Sequence, residues 1–180
     1  MFNVLQPLTS ISNAGTIISL VNPSQGSGVN NRVGNSIKLK SLQIRCELQP
    51  AIGTPTNERI RVMLVKDLRR GYESATNTFI NPTLSDILLD VANPIPSPWT
   101  QENMGRFTVM FDKVFQVDVD DWPKRMLTIY KKMNHHLRFP LDGSNQATYG
   151  GLYLVFVSEQ ATIASQPGFL LYSTARYVDN

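Results

Sequence analysis

The sequence predicts an all-β fold, an antiparallel sandwich or barrel of about eight strands with one short helix in a long connection. Three observations carry this. Short β-branched or aromatic runs recur between clusters of Gly, Pro, Asn and Ser. Strands do not alternate with helices, so no parallel βαβ architecture can be built. Only one stretch has helical spacing, beginning at Pro82 or Thr83, where Leu84, Ile87 and Leu88 form an i, i+3, i+4 stripe.

The elements follow in order. Thr16 to Val21 is a short strand closed by Asn22-Pro23 and the loop from Ser24 to Gly28. A polar turn from Asn30 to Asn35, with Arg32 inside it, launches a long strand that carries Lys38, Lys40 and Arg45 among its apolar residues. Along that strand Ile37 and Leu39 share one face, and then the phase slips to Leu42, Ile44, Cys46 and Leu48. One extra residue in a continuous strand, a β-bulge, produces such a slip. Pro50 and Pro55 mark the next loop, because proline cannot continue a central ladder. Arg59 to Val65 alternates, with Ile60, Val62 and Leu64 opposite Arg59, Arg61 and Met63. The unit ends at Arg69-Arg70-Gly71. After the helix, Asn93-Pro94-Ile95-Pro96-Ser97-Pro98-Trp99 reads as a stiff surface loop. Strands then run from Phe107 to Val119, Met126 toward Phe139, Gly151 to Val157 and Phe169 to Tyr177, with turns at Asp142 to Asn145 and Ser165 to Gly168.

At 180 residues the chain fits one domain with a full core, and no apolar run is long enough to span a membrane. Cys46 is the one cysteine, which excludes an internal disulfide and fits a small buried hydrophobe. The net charge is only +3, but its distribution is uneven. No charged side chain precedes Arg32, and nine of the seventeen cations fall between Arg32 and Arg70. A second cluster, Lys124, Arg125, Lys131, Lys132 and Arg138 with His135 and His136, has no carboxylate between Asp121 and Asp142. Local positive fields of this kind attract polyanions, although a solvated sheet face accounts equally well for any single lysine.

Catalytic constellations are missing. The sequence holds no dinucleotide or P-loop glycine motif, no H-E-x-x-H and no C-x-x-C. His135 and His136 are neighbours on a strand, so their side chains point to opposite faces and cannot share a metal. Asp118, Asp120 and Asp121 could surround a hard cation such as calcium, for example at a subunit interface. The segment lacks the glycine and downstream glutamate of a calcium-binding hand, so an acidic strand end is the preferred reading and no cofactor is expected. No enzymatic activity is expected either.

Several segments, taken in order, resemble a known group. Gln25 to Gly28, Asn31-Arg32-Val33-Gly34-Asn35 and Ile37-Lys38-Leu39-Lys40-Ser41 come first. Pro82 to Leu88, Arg106-Phe107 to Val114, Tyr130 to Asn134, Gly151 to Phe156 and Ala175 to Asn180 follow. This series resembles the jelly-roll capsid proteins of small circular single-stranded DNA viruses, and also those of satellite tobacco necrosis virus and its relatives, over nearly the whole chain from Gln25.

The resemblance implies a single eight-stranded antiparallel jelly roll over residues 1–180, within which 1–30 is an uncharged N-terminal segment. It implies a homo-oligomeric shell, most simply of about sixty copies with icosahedral symmetry. That shell would enclose a single-stranded genome, DNA by analogy, and exterior loops would attach to a host receptor. The expected location is the virion, with assembly in the host nucleus or cytoplasm and no membrane insertion. Lys38, Lys40, Arg59, Arg61, Lys131 and Lys132, with Arg32 and Arg45 next, are the candidate phosphate contacts; inter-subunit ion pairs are the competing role. Trp99 and Trp122, in proline-containing loops, are candidate interface anchors, with ordinary core packing as the alternative.

One departure from that group matters. Its members usually begin with a basic arm, whereas the first thirty-one residues here carry no charged side chain. About sixty copies would supply about +180 against roughly a thousand phosphates. An arm upstream of Met1, small cations, or a shell formed without genome would each account for the gap. The alternative function is a non-viral jelly-roll binding module, lectin-like or a trimeric signalling domain, against which the cations on strands count.

Overall fold

The computed structural model describes all residues except 29, 52–56, 70, 74–77, 121–122, 141–144, 163–164 and 180, and also leaves aside the side chains of 71–73, 78 and 79. Its strands are β1 (Phe2–Ser10), β2 (Thr16–Ser19), β3 (Ser36–Gln49), β4 (Glu58–Asp67), β5 (Gly71–Glu73), β6 (Thr78–Ile80), β7 (Phe107–Val117), β8 (Arg125–Arg138), β9 (Gly151–Ser158) and β10 (Gly168–Asp179). A single turn of helix, α1 (Leu84–Ile87), lies between β6 and β7. Two four-stranded sheets have the orders β1-β10-β3-β8 and β2-β9-β4-β7, and β5 pairs with β6 in a separate hairpin. All the paired strands are antiparallel.

This order has a simple logic. β4 pairs with β7, β3 with β8, β2 with β9 and β1 with β10, as in one long folded ribbon. Rolling that ribbon adds the contacts β10–β3 and β9–β4 and splits it into two packed sheets. The product is a jelly-roll sandwich.

The facing surfaces of the sheets make the main core. On β3, Ile37, Leu39, Leu42, Ile44, Cys46 and Leu48 are all buried, so the slip in the sequence pattern is a true bulge. Against β10 the register moves between Arg176 opposite Ser41 and Tyr177 opposite Leu39, leaving Lys40 as the extra residue. Both Lys40 and Ser41 then point away from the core. Phe156 of β9 and Phe169 of β10 stack across the sandwich with ring centroids 4.0 Å apart. Burial pushes the Cys46 thiol up to about 12, with Glu47 adding to the shift, so it remains protonated.

Two strands precede Gln25, where the sequence pattern begins its resemblance. β1 and β2 each lie at one edge of their sheet, opposite β8 and β7. β1 is hard to see in the sequence because it is half polar, contains Pro7 and changes register between Gln6 and Thr9. Pro is tolerated there because the strand lies at an edge. The helix is also shorter than its apolar stripe implies. The Asp86 carboxylate accepts from the Thr83 backbone N–H at 2.8 Å and fixes its start, but Leu88 is already extended and pairs with Trp99.

The outer face of the β2-β9-β4-β7 sheet is covered over β9 and the middle of β4, while Arg59, Val109 and Val114 at its β7 side stay exposed. Met63, Val65, Val155 and Val157 point outward in the covered part and meet Leu84, Ile87, Leu88 and Ile95 of the β6–β7 connection, with Phe107 at the start of β7, in a second small core. Both faces of β9 are therefore buried along its whole length. Arg61 fastens this cover. Its Nε and Nη2 donate to the two Asp112 carboxylate oxygens at 2.9 and 2.7 Å. Its Nη1 reaches the carbonyls of Pro94, Ile95 and Ser97 at 2.9, 3.3 and 2.6 Å. A second fork, Arg106 on Asp67 at 3.0 and 2.8 Å, closes the far end of the connection.

His135 holds the start of β9. Its Nε2 donates to the Gly150 carbonyl at 2.8 Å. Gly150 has φ +77°, and a Cβ there would stand 2.5 Å from His135 Nε2 and from the His136 carbonyl, so only glycine fits. Burial lowers the affinity of His135 for a proton, nearby Lys66 and His136 add to that, and the Gly150 bond opposes it.

Two predictions follow from these contacts. Arg61→Ala leaves Asp112 and three carbonyls without their donor and should cost about 3 kcal/mol in urea unfolding. Limited proteolysis should then cut first between residues 81 and 106, and Arg61→Lys should restore only part of the loss, since an ammonium cannot fork. For His135 the folded-state value lies below the ordinary 6.5, so its contribution is full above about pH 6.5 and is lost as pH falls. Unfolding curves between about pH 7 and 5 should show that loss in the parent chain and a smaller one in His135→Gln.

Candidate nucleic-acid interface

The other outer face, that of β1-β10-β3-β8, has no cover among the described residues. Because the bulge adds one outward position, β3 presents Lys38, Lys40, Ser41, Gln43 and Arg45 on this side. The register places Ser41 between Lys132 of β8 and Arg176 of β10, and Lys38 between His136 and Val178. Arg45 sits between Thr128 and Tyr172, and Gln43 between Tyr130 and Thr174.

The electrostatics of this face are one-sided. Among the described residues Lys38, Lys40, Arg45, Lys132 and Arg176 form no ion pair. The carboxylate on the same side, Glu47, is held by Lys124 at 2.9 Å and by Gln49, which keep it below the usual carboxylate range. Asp179, at the end of β10, instead accepts from the Val33 backbone N–H at 3.1 Å. Several cations within a few strand spacings, without compensating anions, form a local positive field.

Of the cations expected from sequence to meet phosphate, the structure gathers Lys38, Lys40, Arg45 and Lys132 on this face. Lys131 is next to Lys132 but has the opposite parity, half-buried opposite Leu42 at the sheet edge. Arg59 lies on the other sheet in an exposed pair with Glu159 at 2.6 Å. Arg61 is the buried clamp described above.

Arg32 is fully buried: its Nη1 donates to the Gly34 carbonyl at 2.6 Å and to Asn35 Oδ1 at 3.2 Å, and its guanidinium stacks 4.4 Å from the Phe139 ring centroid. The glycine-rich turn therefore wraps around its own arginine. A cation in a polar turn looks the same in sequence whether the loop folds over it or away from it.

Trp99 is half-buried on the second core, 5.7 Å from the Arg61 guanidinium, and lines a shallow hollow of about 120 Å³ with Phe107, Met104 and Val109. Trp122 and Asp121 lie outside the described residues, as do Arg70 and the turn 142–144. Asp118 Oδ1 accepts from the Asp120 backbone N–H at 2.8 Å, a local strand-end turn. No local sequence signal marks Arg176, Tyr130 or Tyr172 as site residues. On β10 the outward set Leu170, Tyr172, Thr174, Arg176 and Val178 is nearly as apolar as the inward set Phe169, Leu171, Ser173, Ala175 and Tyr177, so alternation alone marks the face only weakly.

No protein-family model and no curated protein sequence matches this chain. Among solved structures, chains of the Israel acute paralysis virus pentamer, the Kashmir bee virus empty particle at acidic pH and broad bean stain virus superpose over 99% of it. The TM-scores are 0.43, 0.49 and 0.41, the identities 8%, 8% and 10%, and the shares of those chains covered 69%, 72% and 90%. At such values the fold assignment rests on this chain's own strand order.

A polyanion held on this face must show its cations in the salt dependence. Lys40→Ala, Lys132→Ala and Arg176→Ala should each reduce the slope of log affinity against log salt for a single-stranded oligonucleotide by about 0.7. Arg59→Ala, on the other sheet, should leave the slope unchanged.

Proposed function

We propose that this chain is a viral coat protein that self-assembles into a small closed shell around a single-stranded nucleic acid. The observation that carries this reading is the contrast between the outer faces of the sandwich. One is covered over its middle by a clamped connection, and the other presents unpaired cations with exposed aromatic and aliphatic side chains. A subunit that encloses a polyanion needs such a polarity: a cationic side for the cargo and a neutral, finished side for solvent.

In this reading the β1-β10-β3-β8 face is turned to the interior and holds phosphates without reading bases. Lys38, Lys40, Arg45, Lys132 and Arg176 make those contacts. The covered side looks outward, and its loops, where Leu89, Val91 and Met104 stand exposed, are available for host attachment. Neighbouring copies meet around the symmetry axes through the loops and sheet edges, in heterologous contacts that close on themselves. Sixty copies, a DNA genome and residence in the virion complete the proposal. Arg61 and Arg32 serve it indirectly, by fixing the shapes of the loops.

Light scattering together with absorbance at 260 and 280 nm tests the reading. The expected result is a particle near 1.2 MDa, about sixty chains of 20.2 kDa, with excess absorbance at 260 nm. A monomer or trimer that stays small across salt and pH would overturn it in favour of a ligand-binding module.

A further inference from the structure

Two tyrosines stand among the cations of the open face. Tyr172 of β10 lies directly across from Arg45 of β3, and Arg45 directly across from Thr128 of β8. Tyr130 is the next outward position on β8. The three side chains Tyr172, Arg45 and Tyr130 thus run diagonally over three adjacent strands. Two strand spacings across and one side-chain repeat along put the tyrosine backbones roughly 12 Å apart.

Both rings are open to solvent, at 47% for Tyr172 and 59% for Tyr130. Among the described residues neither hydroxyl makes a hydrogen bond, and neither ring belongs to a core cluster. Leu5 of β1 lies opposite Tyr172 on its other side, so that ring has an apolar wall behind it and a guanidinium in front. Neither ring fills a core, so burial does not account for an aromatic at these positions. Lys40, Lys132 and Arg176 lie within one or two side-chain repeats of the diagonal.

We propose that this diagonal is a stacking platform for single-stranded nucleic acid. Bases lie on Tyr172 and Tyr130, with the Arg45 guanidinium as a third flat surface between them. The backbone phosphates follow Lys40, Lys132 and Arg176. Every base has a π-face, so stacking of this kind tolerates any sequence and requires unpaired bases. The face therefore selects single strands over duplexes, whose bases are already stacked on one another. A second copy of this chain is the competing occupant, but pressing two such faces together would oppose like charges with only Glu47, already held by Lys124, to answer them.

The inference rests on the coat-protein reading and adds base contact to it. The test uses the full chain and three labelled probes of equal length: oligothymidylate, an abasic strand with the same phosphates, and a duplex. Fluorescence anisotropy should show the thymidylate strand bound about tenfold or more tightly than the abasic strand, with the duplex also weaker. Tyr172→Ala and Tyr130→Ala should each lose about tenfold for the thymidylate strand and nothing for the abasic one. Tyr172→Phe and Tyr130→Phe should retain binding, and melting temperatures should not move, since both rings are exposed.

Equal affinity for the thymidylate and abasic strands, with no effect of the alanine variants, would overturn the platform while leaving phosphate binding and the shell intact. Loss of self-association in the alanine variants without loss of oligonucleotide affinity would make the face a subunit contact and also overturn it. Failure of every probe to bind, in a chain that forms no particle, would remove the coat-protein reading itself.

Discussion

The fork that Arg61 makes between Asp112 and the loop carbonyls of Pro94, Ile95 and Ser97 makes the two faces of this sandwich differ. A jelly roll has two outer surfaces, and nothing in strand pairing alone tells them apart. Placing one buried guanidinium on β4 changes that. It draws the proline-rich segment onto the sheet, where Ile95 and Trp99 join the helix turn over Met63 and Val65. Prolines suit a segment whose carbonyls are used and whose N–H groups would otherwise need partners. Once the middle of that side is covered, the cationic face is the sheet surface left without a cover among the described residues.

A second constraint acts on the open side. A strand must present alternate residues to the core, which limits how much positive charge it can carry outward. The bulge at Lys40 relaxes this limit locally, because two successive residues of β3 face out while Leu39 and Leu42 stay buried. Core packing and surface charge are thereby uncoupled at one point. Arg176 and Lys132 flank the bulged segment from the neighbouring strands.

Much of the fold was legible in the sequence because inward positions of interior strands must be apolar. β3, β4, β9 and the phase slip in β3 all follow from that rule. β1 was not legible: it is an edge strand that carries Pro7 and polar residues on both faces. The site was legible in part. Lys38, Lys40, Arg45 and Lys132 could be read as outward cations, but burial of Arg32 and Arg61 depends on loops folding over them, which no local pattern encodes. Arg59 alternates like the others yet finds Glu159 a hundred residues away, a partner set by tertiary structure. Tyr172 and Tyr130 become a pair only when β10, β3 and β8 come into register.

The central claim is that one face meets the cargo and the other meets solvent. Lysine acylation with a small membrane-free reagent, read residue by residue by mass spectrometry, tests it on loaded particles and on dissociated subunits. The account predicts that Lys38, Lys40 and Lys132 are protected in the loaded particle and react in the subunit, while Arg59, exposed at the outer face of β4 and modified in parallel by a small dicarbonyl reagent, reacts comparably in both. Protection of Arg59 with full reactivity at Lys40 and Lys132 in the loaded particle would contradict it, because the cationic face would then be on the outside.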